Sequence, residues 1–293
     1  MTLLMLGLIF FDISAFNWIP DKIDADKKGQ DEYRTLLTLY PVAEFLRGQP
    51  QPFRVAISRD LKPNIGDSYG IQSISGAGAA VGKNFARISS AFDLLNVRYL
   101  IKAASANDAQ PIFHDPNWKV FENRDAFPRA WLVHQTKVER DDEKAYADVN
   151  LGRVNLRDVA IVSQIVAEPL GAPAPGSESV TVISYSAHAI RLRVHASSPG
   201  LLVLSEVYWP EWHAMVNKQE TPIYKADGAL RSIPLPAGDS DIEFVYRPWS
   251  VYIGALLTIL TFFGTITALV FDRRIPENRT QLSAAAGVDS YVS

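Results

Sequence analysis

The sequence has 293 residues, a formal net charge of −3 and no cysteine. The small negative charge argues against nucleic-acid binding, and the lack of cysteine excludes disulfides, thiolate metal sites and a cysteine nucleophile. A hydrophobic content of 47% is enough for stable cores, and the length fits two soluble domains plus a membrane segment.

The chain begins with an apolar segment, Met1 to Phe11, which Asp12 interrupts and which resumes as far as Ile19. The first part is too short to cross a bilayer, and no Lys or Arg precedes it as in a signal peptide. We interpret residues 1–19 as the end of a transmembrane helix that starts upstream. The alternative is an uncleaved N-terminal anchor.

Residues 20–166 mix helical and strand patterns, which predicts a mixed α/β domain. Pro41 to Arg47 is a predicted helix, because proline is tolerated in a first turn and Gly48 follows as a stop. The other predicted elements are a helix over Glu139–Asp148 and strands over Phe53–Ile57, Val97–Ile101, Trp118–Phe121, Ala130–Val133 and Val159–Val166.

Residues 167–179 are rich in proline and glycine and predict a linker. After them, short strands alternate with turn signals, which predicts an antiparallel β-sandwich over residues 180–249. In Ala189 to His195, the apolar side chains should face one way and the Arg and His side chains the other. Asn217 to Glu220 is a candidate hairpin turn, and Asp227-Gly228 is another turn. The overall prediction is an α+β chain.

Val251 to Phe271 contains no charged residue, no histidine and no proline over 21 residues, the length of a membrane-spanning helix. We assign the transmembrane helix to residues 250–272 and a cytoplasmic tail to residues 273–293. Trp249 and Tyr252 are suited to the membrane interface at the start of the helix. Arg273 and Arg274 follow its other end and indicate that this end lies on the cytoplasmic side of the membrane. Residues 20–249 are therefore expected outside the cytoplasm.

Several motifs resemble catalytic or binding signatures and do not complete them. Gly76-Ala-Gly-Ala-Ala-Val-Gly82 lacks the third small residue of a dinucleotide fingerprint, and Asn84 replaces the Ser or Thr of a phosphate loop. The five histidines show no metal-ligand spacing. We therefore predict no metal, no cofactor and no catalytic residue in this chain. Acidic residues that could pair for glycoside hydrolysis, but are more often solvated, are Glu206, Glu211, Asp227, Asp239 and Asp241.

The most distinctive local feature is the segment from Glu206 to Trp212, which places three aromatic rings around a proline. Exposed aromatic rings can stack on the C–H faces of sugars, and a nearby carboxylate can accept hydrogen bonds from hydroxyls. Tyr208, Trp209 and Trp212, with Glu206, are thus candidate glycan-binding residues. The alternative is that these rings fill the sandwich core, where most large aromatic side chains lie.

Three segments in order resemble the C-terminal part of bacterial YfhO-type membrane proteins: Leu204-Ser-Glu-Val-Tyr-Trp-Pro-Glu-Trp212, Ile233-Pro-Leu-Pro-Ala-Gly238 and Phe244-Val-Tyr-Arg-Pro248, followed by a span. Upstream, Tyr69-Gly-Ile71, Asn96-Val-Arg-Tyr-Leu-Ile101 and Phe127-Pro-Arg-Ala130 fit the same family. The resemblance covers roughly residues 35–272. Two departures are Asn217-Lys218 in place of the family's usual Asp-Gly, and Ala77 in place of an aromatic residue.

The resemblance implies a large polytopic protein related to GT-C glycosyltransferases, which use lipid-phosphate-linked sugars to modify envelope polymers such as teichoic acids. It also implies a catalytic acidic residue in an early extracytoplasmic loop, which nothing in this sequence matches. We therefore expect a non-catalytic accessory region with the bilayer, further transmembrane helices and an envelope glycan as partners. The alternatives are a stand-alone membrane-anchored glycan-binding module and a scaffold without a ligand.

Overall fold

The computed structural model describes residues 33–57, 65–74, 83–107, 110–173 and 175–272. The apolar start over residues 1–19, the loop from Gly76 to Gly82, Arg273 and Arg274 lie outside these ranges. The chain divides into two compact units, Met1–Val245 and Tyr246–Ser293. The helices are α1 (Tyr40–Arg47), α2 (Ile65–Tyr69), α3 (Lys83–Ile88), α4 (Asp142–Asn150) and α5 (Trp249–Asp272).

The first sheet contains four strands in the order β1-β2-β4-β3. These strands are β1 (Arg54–Ile57), β2 (Val97–Ala103), β3 (Phe113–His114) and β4 (Trp118–Glu122). Strands β1 and β2 are parallel, and the other two pairs are antiparallel. Helix α1, which contains Pro41 near its start and ends before Gly48 as predicted, packs Val42 and Leu46 into the core beside this sheet.

The second sheet contains six strands in the order β5-β10-β14-β13-β7-β6. They are β5 (Ala130–Val133), β6 (Gln135–Val138), β7 (Val159–Val162), β10 (Gly200–Val207), β13 (Tyr224–Ala226) and β14 (Leu230–Leu235). Strands from both sides of residues 167–179 therefore share one sheet. Strand β10 pairs with β5 on one edge and β14 on the other, so its backbone lies in the middle of the sheet.

The third sheet contains five strands in the order β12-β11-β15-β9-β8. They are β8 (Ser179–Tyr185), β9 (Ala189–Ala196), β11 (Trp212–Val216), β12 (Gln219–Thr221) and β15 (Gly238–Tyr246). The alternation predicted for β9 is confirmed, because Ile190, Leu192 and Val194 are buried while the intervening side chains are exposed. Period-two alternation of this kind is what a half-buried strand requires.

The second and third sheets pack face to face around a shared core, so the α+β fold contains a sandwich as predicted, but this sandwich also includes β5, β6 and β7 and is not confined to residues 180–249. Leu202, Leu204 and Ile233 from the six-stranded sheet meet Leu192 and Phe244 from the five-stranded sheet in this core. Burial of each such side chain contributes about 1.5–3 kcal/mol to folding. The sheets are mostly antiparallel, with β6 and β7 forming a parallel pair.

The hairpin between β11 and β12 differs from the prediction. Its turn consists of Asn217 and Lys218 alone, and the second strand begins at Gln219 rather than after Glu220. Both turn residues have positive φ angles, 52° and 69°. Two consecutive left-handed residues form the turn whose twist matches that of the flanking strands, so the turn needs only two positions.

Helix α5 belongs to the second unit. Among the described residues, the segment 249–271 of this helix is long and apolar enough to cross a membrane. It has 24 residues, which corresponds to about 36 Å of helix. The rings of Trp249 and Tyr252 lie 5.9 Å apart in its first turn. The predicted C-terminal span is thus confirmed as a helix, beginning slightly before Val251.

Candidate functional site

The aromatic segment after β10 forms one wall of a cleft of about 250 Å³, which we call the aromatic cleft. Tyr208, Trp209 and Trp212 all line it, so the structure brings three of the four predicted glycan-binding residues together. His213 and Glu220, from the two strands of the β11–β12 hairpin, contribute polar side chains to the same cleft.

The backbone around Pro210 explains why the rings lie at the surface. Proline has no N–H group and cannot continue a central strand, so β10 ends at Val207. The Tyr208 N–H donates to the Ala229 carbonyl at 2.8 Å, and the Trp212 N–H donates to the Trp209 carbonyl at 3.2 Å. The chain therefore turns sharply before β11 and carries the rings to the edge of the sandwich.

Trp209 and Trp212 differ in exposure. Trp209 is 50% exposed, whereas Trp212 is more deeply buried and packs against the sandwich core. The Arg231 guanidinium lies 3.9 Å from the Trp212 ring centre, which is a close cation–π contact. The core interpretation of the aromatic segment therefore fits Trp212, which packs against the core and also lines the cleft. The ligand interpretation fits Trp209, whose ring is exposed.

Glu206, the fourth predicted residue, lies beneath the surface and does not line the aromatic cleft. Its Oε1 atom accepts hydrogen bonds from Arg54 Nη2 at 2.8 Å, Arg129 Nη1 at 3.2 Å and the Tyr185 hydroxyl at 2.9 Å. Its Oε2 atom lies 3.8 Å from Arg231 Nη2. These contacts occupy the carboxylate.

We call Arg54, Arg129, Arg231, Glu206 and Tyr185 the arginine cluster. It joins β1, β14, β10, β8 and the residue that precedes β5, so it connects all three sheets. Arg54 Nη1 also donates to the Ser205 carbonyl at 2.6 Å and to the Leu95 carbonyl at 3.1 Å, and Arg129 donates to the Gln72 side chain. The sequence alone did not predict a role for these arginines. The available signal was Arg231, a charged residue within the otherwise apolar strand Leu230–Leu235.

Burial changes the protonation equilibria of the cluster. The side chains of Arg129 and Arg231 are 1% and 3% exposed. Loss of hydration lowers the pKa of Arg129 to about 10, with a further decrease from Arg54 and an opposing effect of Glu206. Loss of hydration likewise lowers the pKa of Arg231 to about 10. Burial raises the pKa of Tyr185, and the negative charge of Glu206 adds to this effect. At neutral pH both arginines remain charged.

The cluster contains three cations and one carboxylate. Arg129 Nε, and Arg231 Nε and Nη1, are buried and have no hydrogen-bond partner in the part of the chain that the structure describes. Buried charges are ordinarily paired, because removing them from water costs several kcal/mol for each ion. The arrangement is therefore rich in positive charge relative to the acidic groups around it.

The remaining acidic candidates lie in separate surroundings. Asp239 and Asp241 lie on the outer face of the five-stranded sheet and pair with His195 and Arg193. Asp227 is fully buried in a turn, where it accepts the Ile161 N–H at 2.9 Å, and burial raises its pKa to about 7. Within the described ranges, no group of three or more His, Cys, Asp or Glu side chains could hold a metal ion.

Comparison with known proteins gives one family match. Residues 148–258 match the family model described as bacterial membrane protein YfhO. Neither the curated proteins nor the solved structures contain a significant match to this chain. The matched range includes the aromatic segment, Arg231 and the first turns of α5, and excludes Arg54 and Arg129. The expected resemblance is thus confirmed over residues 148–258, and with the apolar helix it identifies this range as a region similar to the membrane protein YfhO; the match does not extend to the upstream segments of the expected resemblance.

Proposed function

We propose that this chain is the extracytoplasmic accessory region of a polytopic YfhO-like membrane protein and that it contacts an envelope glycan in the aromatic cleft. The observation that carries the proposal is the position of Trp209, which is 50% exposed in a cleft that Tyr208 and Trp212 also line. An exposed indole of this kind is more costly to leave in water than a polar side chain, and a sugar face would cover it.

The polar groups of the aromatic cleft support a carbohydrate rather than a purely apolar ligand. His213 Nδ1 lies 3.1 Å from Glu220 Oε1, and the Glu220 side chain is largely exposed. Such a pair can donate and accept hydrogen bonds with hydroxyl groups, while the rings contact C–H groups. Pockets of this type combine apolar walls with a few convergent polar groups that orient the ligand.

The surroundings of the acidic side chains support the accessory role. Glu206 is occupied by cations, and Asp239 and Asp241 pair with side chains on an outer sheet face. A lipid-linked sugar donor also requires a cavity within a membrane. We propose that the glycosylation of envelope polymers such as teichoic acids is carried out elsewhere in the full protein, and that this region guides the acceptor. Sugar transfer by the purified 293-residue chain would contradict this proposal.

We further propose that residues 20–249 lie outside the cytoplasm and residues 273–293 inside it. The support is the pair Arg273 and Arg274 directly after the apolar helix, since positive residues are retained on the cytoplasmic side. A reporter enzyme that is active only in the cytoplasm, fused after Ser293, should give signal. Silence of a stably expressed fusion would contradict the orientation.

The decisive experiment for glycan contact compares Trp209→Ala with Tyr40→Ala. Both remove an exposed ring, and Tyr40 lies on α1 rather than in the aromatic cleft. The full chain in detergent micelles is titrated with oligosaccharides from bacterial envelope polymers. We expect Trp209→Ala to weaken binding about tenfold, the effect of a central aromatic contact, and Tyr40→Ala to change it by less than about twofold.

Equal binding by Trp209→Ala and the unmodified chain would contradict glycan contact at this cleft. If glycan binding is confirmed, the open reading frame upstream of Met1 separates the accessory region from a stand-alone binding module. An in-frame continuation that encodes several hydrophobic spans favours the accessory region, and a stop codon with a ribosome-binding site favours the module. Absence of binding to every envelope oligosaccharide would favour a scaffold.

A further inference from the structure

A second and larger cleft, of about 480 Å³, lies where four segments of the first unit meet. Its walls come from residues 50–53, from the start of β2, from residues 126–130 and from the first half of β8. The volume falls within the range of about 300–1,000 Å³ that small-molecule sites occupy. We call it the cationic cleft for the reason that follows.

The charged residues that line this cleft are both arginines. Arg98 and Arg129 contribute to its walls, and no Asp or Glu lines it. The Arg98 side chain is 45% exposed and pairs with Glu122 at 2.8 Å. Arg129 belongs to the arginine cluster, so its charge is shared with that of Arg54 and Arg231 behind the wall. The carboxylates that pair with the two lining arginines, Glu122 and Glu206, lie outside the lining, and Glu206 is shared among the three arginines of the cluster.

Among the described residues, one carboxylate faces the three cations of the arginine cluster. The ion pairs of Arg54, Arg129 and Arg231 among described residues all go to Glu206. The other acceptors of Arg54, the carbonyls of Leu95 and Ser205, carry no net charge. Electrostatic attraction decays slowly in a poorly solvated interior, so an anion in the adjacent cleft would be stabilised by the excess charge.

The remaining lining indicates what carries the anion. Phe53, Tyr99 and Phe127 line the cleft, but Phe53 and Tyr99 are each 3% exposed, so the half-buried Phe127 ring is the one that a ligand can contact. Asn96 and Thr181 add polar side chains, of which Thr181 is exposed. An aromatic ring suits the C–H face of a sugar or polyol, and the amide and hydroxyl suit its hydroxyl groups. A bare inorganic ion would leave these walls without a contact.

We infer that the cationic cleft binds an oxyanion group, phosphate or carboxylate, carried on a sugar or polyol. This site is separate from the aromatic cleft: the two clefts share no lining residue. The inference therefore does not depend on glycan contact at Trp209, and the two can fail independently. The ligand contributes negative charge that offsets the excess positive charge of the arginine cluster.

Binding is measured by isothermal titration calorimetry on the full chain in detergent micelles at low ionic strength. The probes are glucose 1-phosphate, glucuronate and, as the neutral match, glucose. We expect the two anions to bind at least about tenfold more tightly than glucose, because only they interact with the excess positive charge. Raising the salt concentration to 0.5 M should weaken anion binding several-fold through screening. The stronger of the two anions identifies the oxyanion as phosphate or carboxylate.

Replacement of Arg129 is uninformative, because a buried cluster member is expected to disturb folding. Arg98→Gln is the useful variant, and Arg124→Gln is its matched control. Arg98 and Arg124 both pair with Glu122, and only Arg98 lines the cleft. The Arg124 side chain is 86% exposed. We expect Arg98→Gln to raise the Kd for the preferred anion about five- to tenfold and Arg124→Gln to raise it by less than twofold.

Two outcomes would overturn the inference: equal affinities for glucose and both anions, or equal effects of the two arginine substitutions. A lipid headgroup as the source of the oxyanion is distinguished by repeating the titration in nanodiscs with and without phosphatidylglycerol. Competition from the lipid would raise the apparent Kd for glucose 1-phosphate at least fivefold. An unchanged value would assign the cleft to a soluble or polymer-borne ligand.

Discussion

The outer face of the five-stranded sheet and the arginine cluster use the same charged side chains in different proportions. On the outer face, each cation of β9 pairs with one acidic residue of β15: Arg191 with Glu243 at 2.8 Å and Arg193 with Asp241 at 3.0 Å. In the cluster, three arginines share one carboxylate, and all four side chains are at least mostly buried. Cations and carboxylates are thus paired one to one on the solvent-exposed outer face, whereas cations outnumber carboxylates in the buried cluster.

The difference in charge balance between the two regions has different consequences for stability and for ligand binding. Exposed pairs are screened by water and contribute about 0–1 kcal/mol each, so balanced charges on the outer face cost little to gain or lose. Buried cations without equal numbers of anions cost stability, and such sites persist where another interaction offsets that cost. The comparison therefore supports the inferred anion in the cationic cleft beside the cluster, and it gives no such support for a ligand at the outer face.

The largest expected effect comes from Glu206→Gln. The substitution keeps the size of the side chain and removes the one negative charge shared by two buried arginines, Arg129 and Arg231, and the partly buried Arg54. We expect a loss of about 3–5 kcal/mol in the free energy of unfolding, the cost of leaving buried charge unpaired. Urea unfolding of the full chain in micelles, followed by tryptophan fluorescence, measures it.

Glu243→Gln is the matched control for this prediction. It makes the same chemical change in an exposed pair on the outer face. We expect it to lower the free energy of unfolding by less than about 1 kcal/mol. Equal losses for Glu206→Gln and Glu243→Gln would show that the cluster does not depend on its carboxylate, and the comparison would fail.

An intermediate effect is expected from Asp227→Asn, which tests a buried carboxylate without a cation. The folded-state pKa of Asp227 is about 7, against 3.8 for the free side chain. Unfolding therefore releases a proton between these values, and stability falls as pH rises from about 4 to about 7. Asparagine accepts the same Ile161 N–H and tolerates the positive φ angle of 48° at this position.

The stability of Asp227→Asn relative to the unmodified chain should thus be about 2–3 kcal/mol greater at pH 8 than at pH 5. Urea unfolding at the two pH values provides the measurement. Asp125→Asn, a change at an exposed loop position, is the control and should show no such dependence on pH. A relative stability that does not change with pH would mean that Asp227 ionises as readily when folded as when unfolded.

The sequence predicted the elements whose pattern is local. The alternation of β9, the proline at the start of α1 and the uncharged run from Val251 to Phe271 each depend on neighbouring residues alone. The predicted turn covers Asn217 to Glu220, whereas the turn in the structure consists of Asn217 and Lys218 alone. The difference arises because a two-residue turn with left-handed conformations is recognised mainly by glycine, which is absent here.

The candidate sites show the same limit. The aromatic segment was identifiable because its rings lie within a few residues of one another. The arginine cluster was not, because Arg54 and Arg129 reach Glu206 across separations of 152 and 77 residues. The prediction placed Glu206 beside the exposed rings, but Glu206 is buried, as are all the residues of β10 from Gly200 to Ser205. Contacts between distant strands depend on sheet order, which a single sequence does not specify.

The smallest expected effect concerns the Arg191–Glu243 pair on the outer face. A double-mutant cycle with Arg191→Gln and Glu243→Gln isolates the coupling between the two side chains, whose Nη2 and Oε1 atoms lie 2.8 Å apart. We expect a coupling below about 1 kcal/mol that disappears in 1 M salt, since both side chains contact water and screening is then strong. A coupling that survives high salt and approaches the loss in Glu206→Gln would erase the distinction between balanced surface charge and the buried excess of arginine.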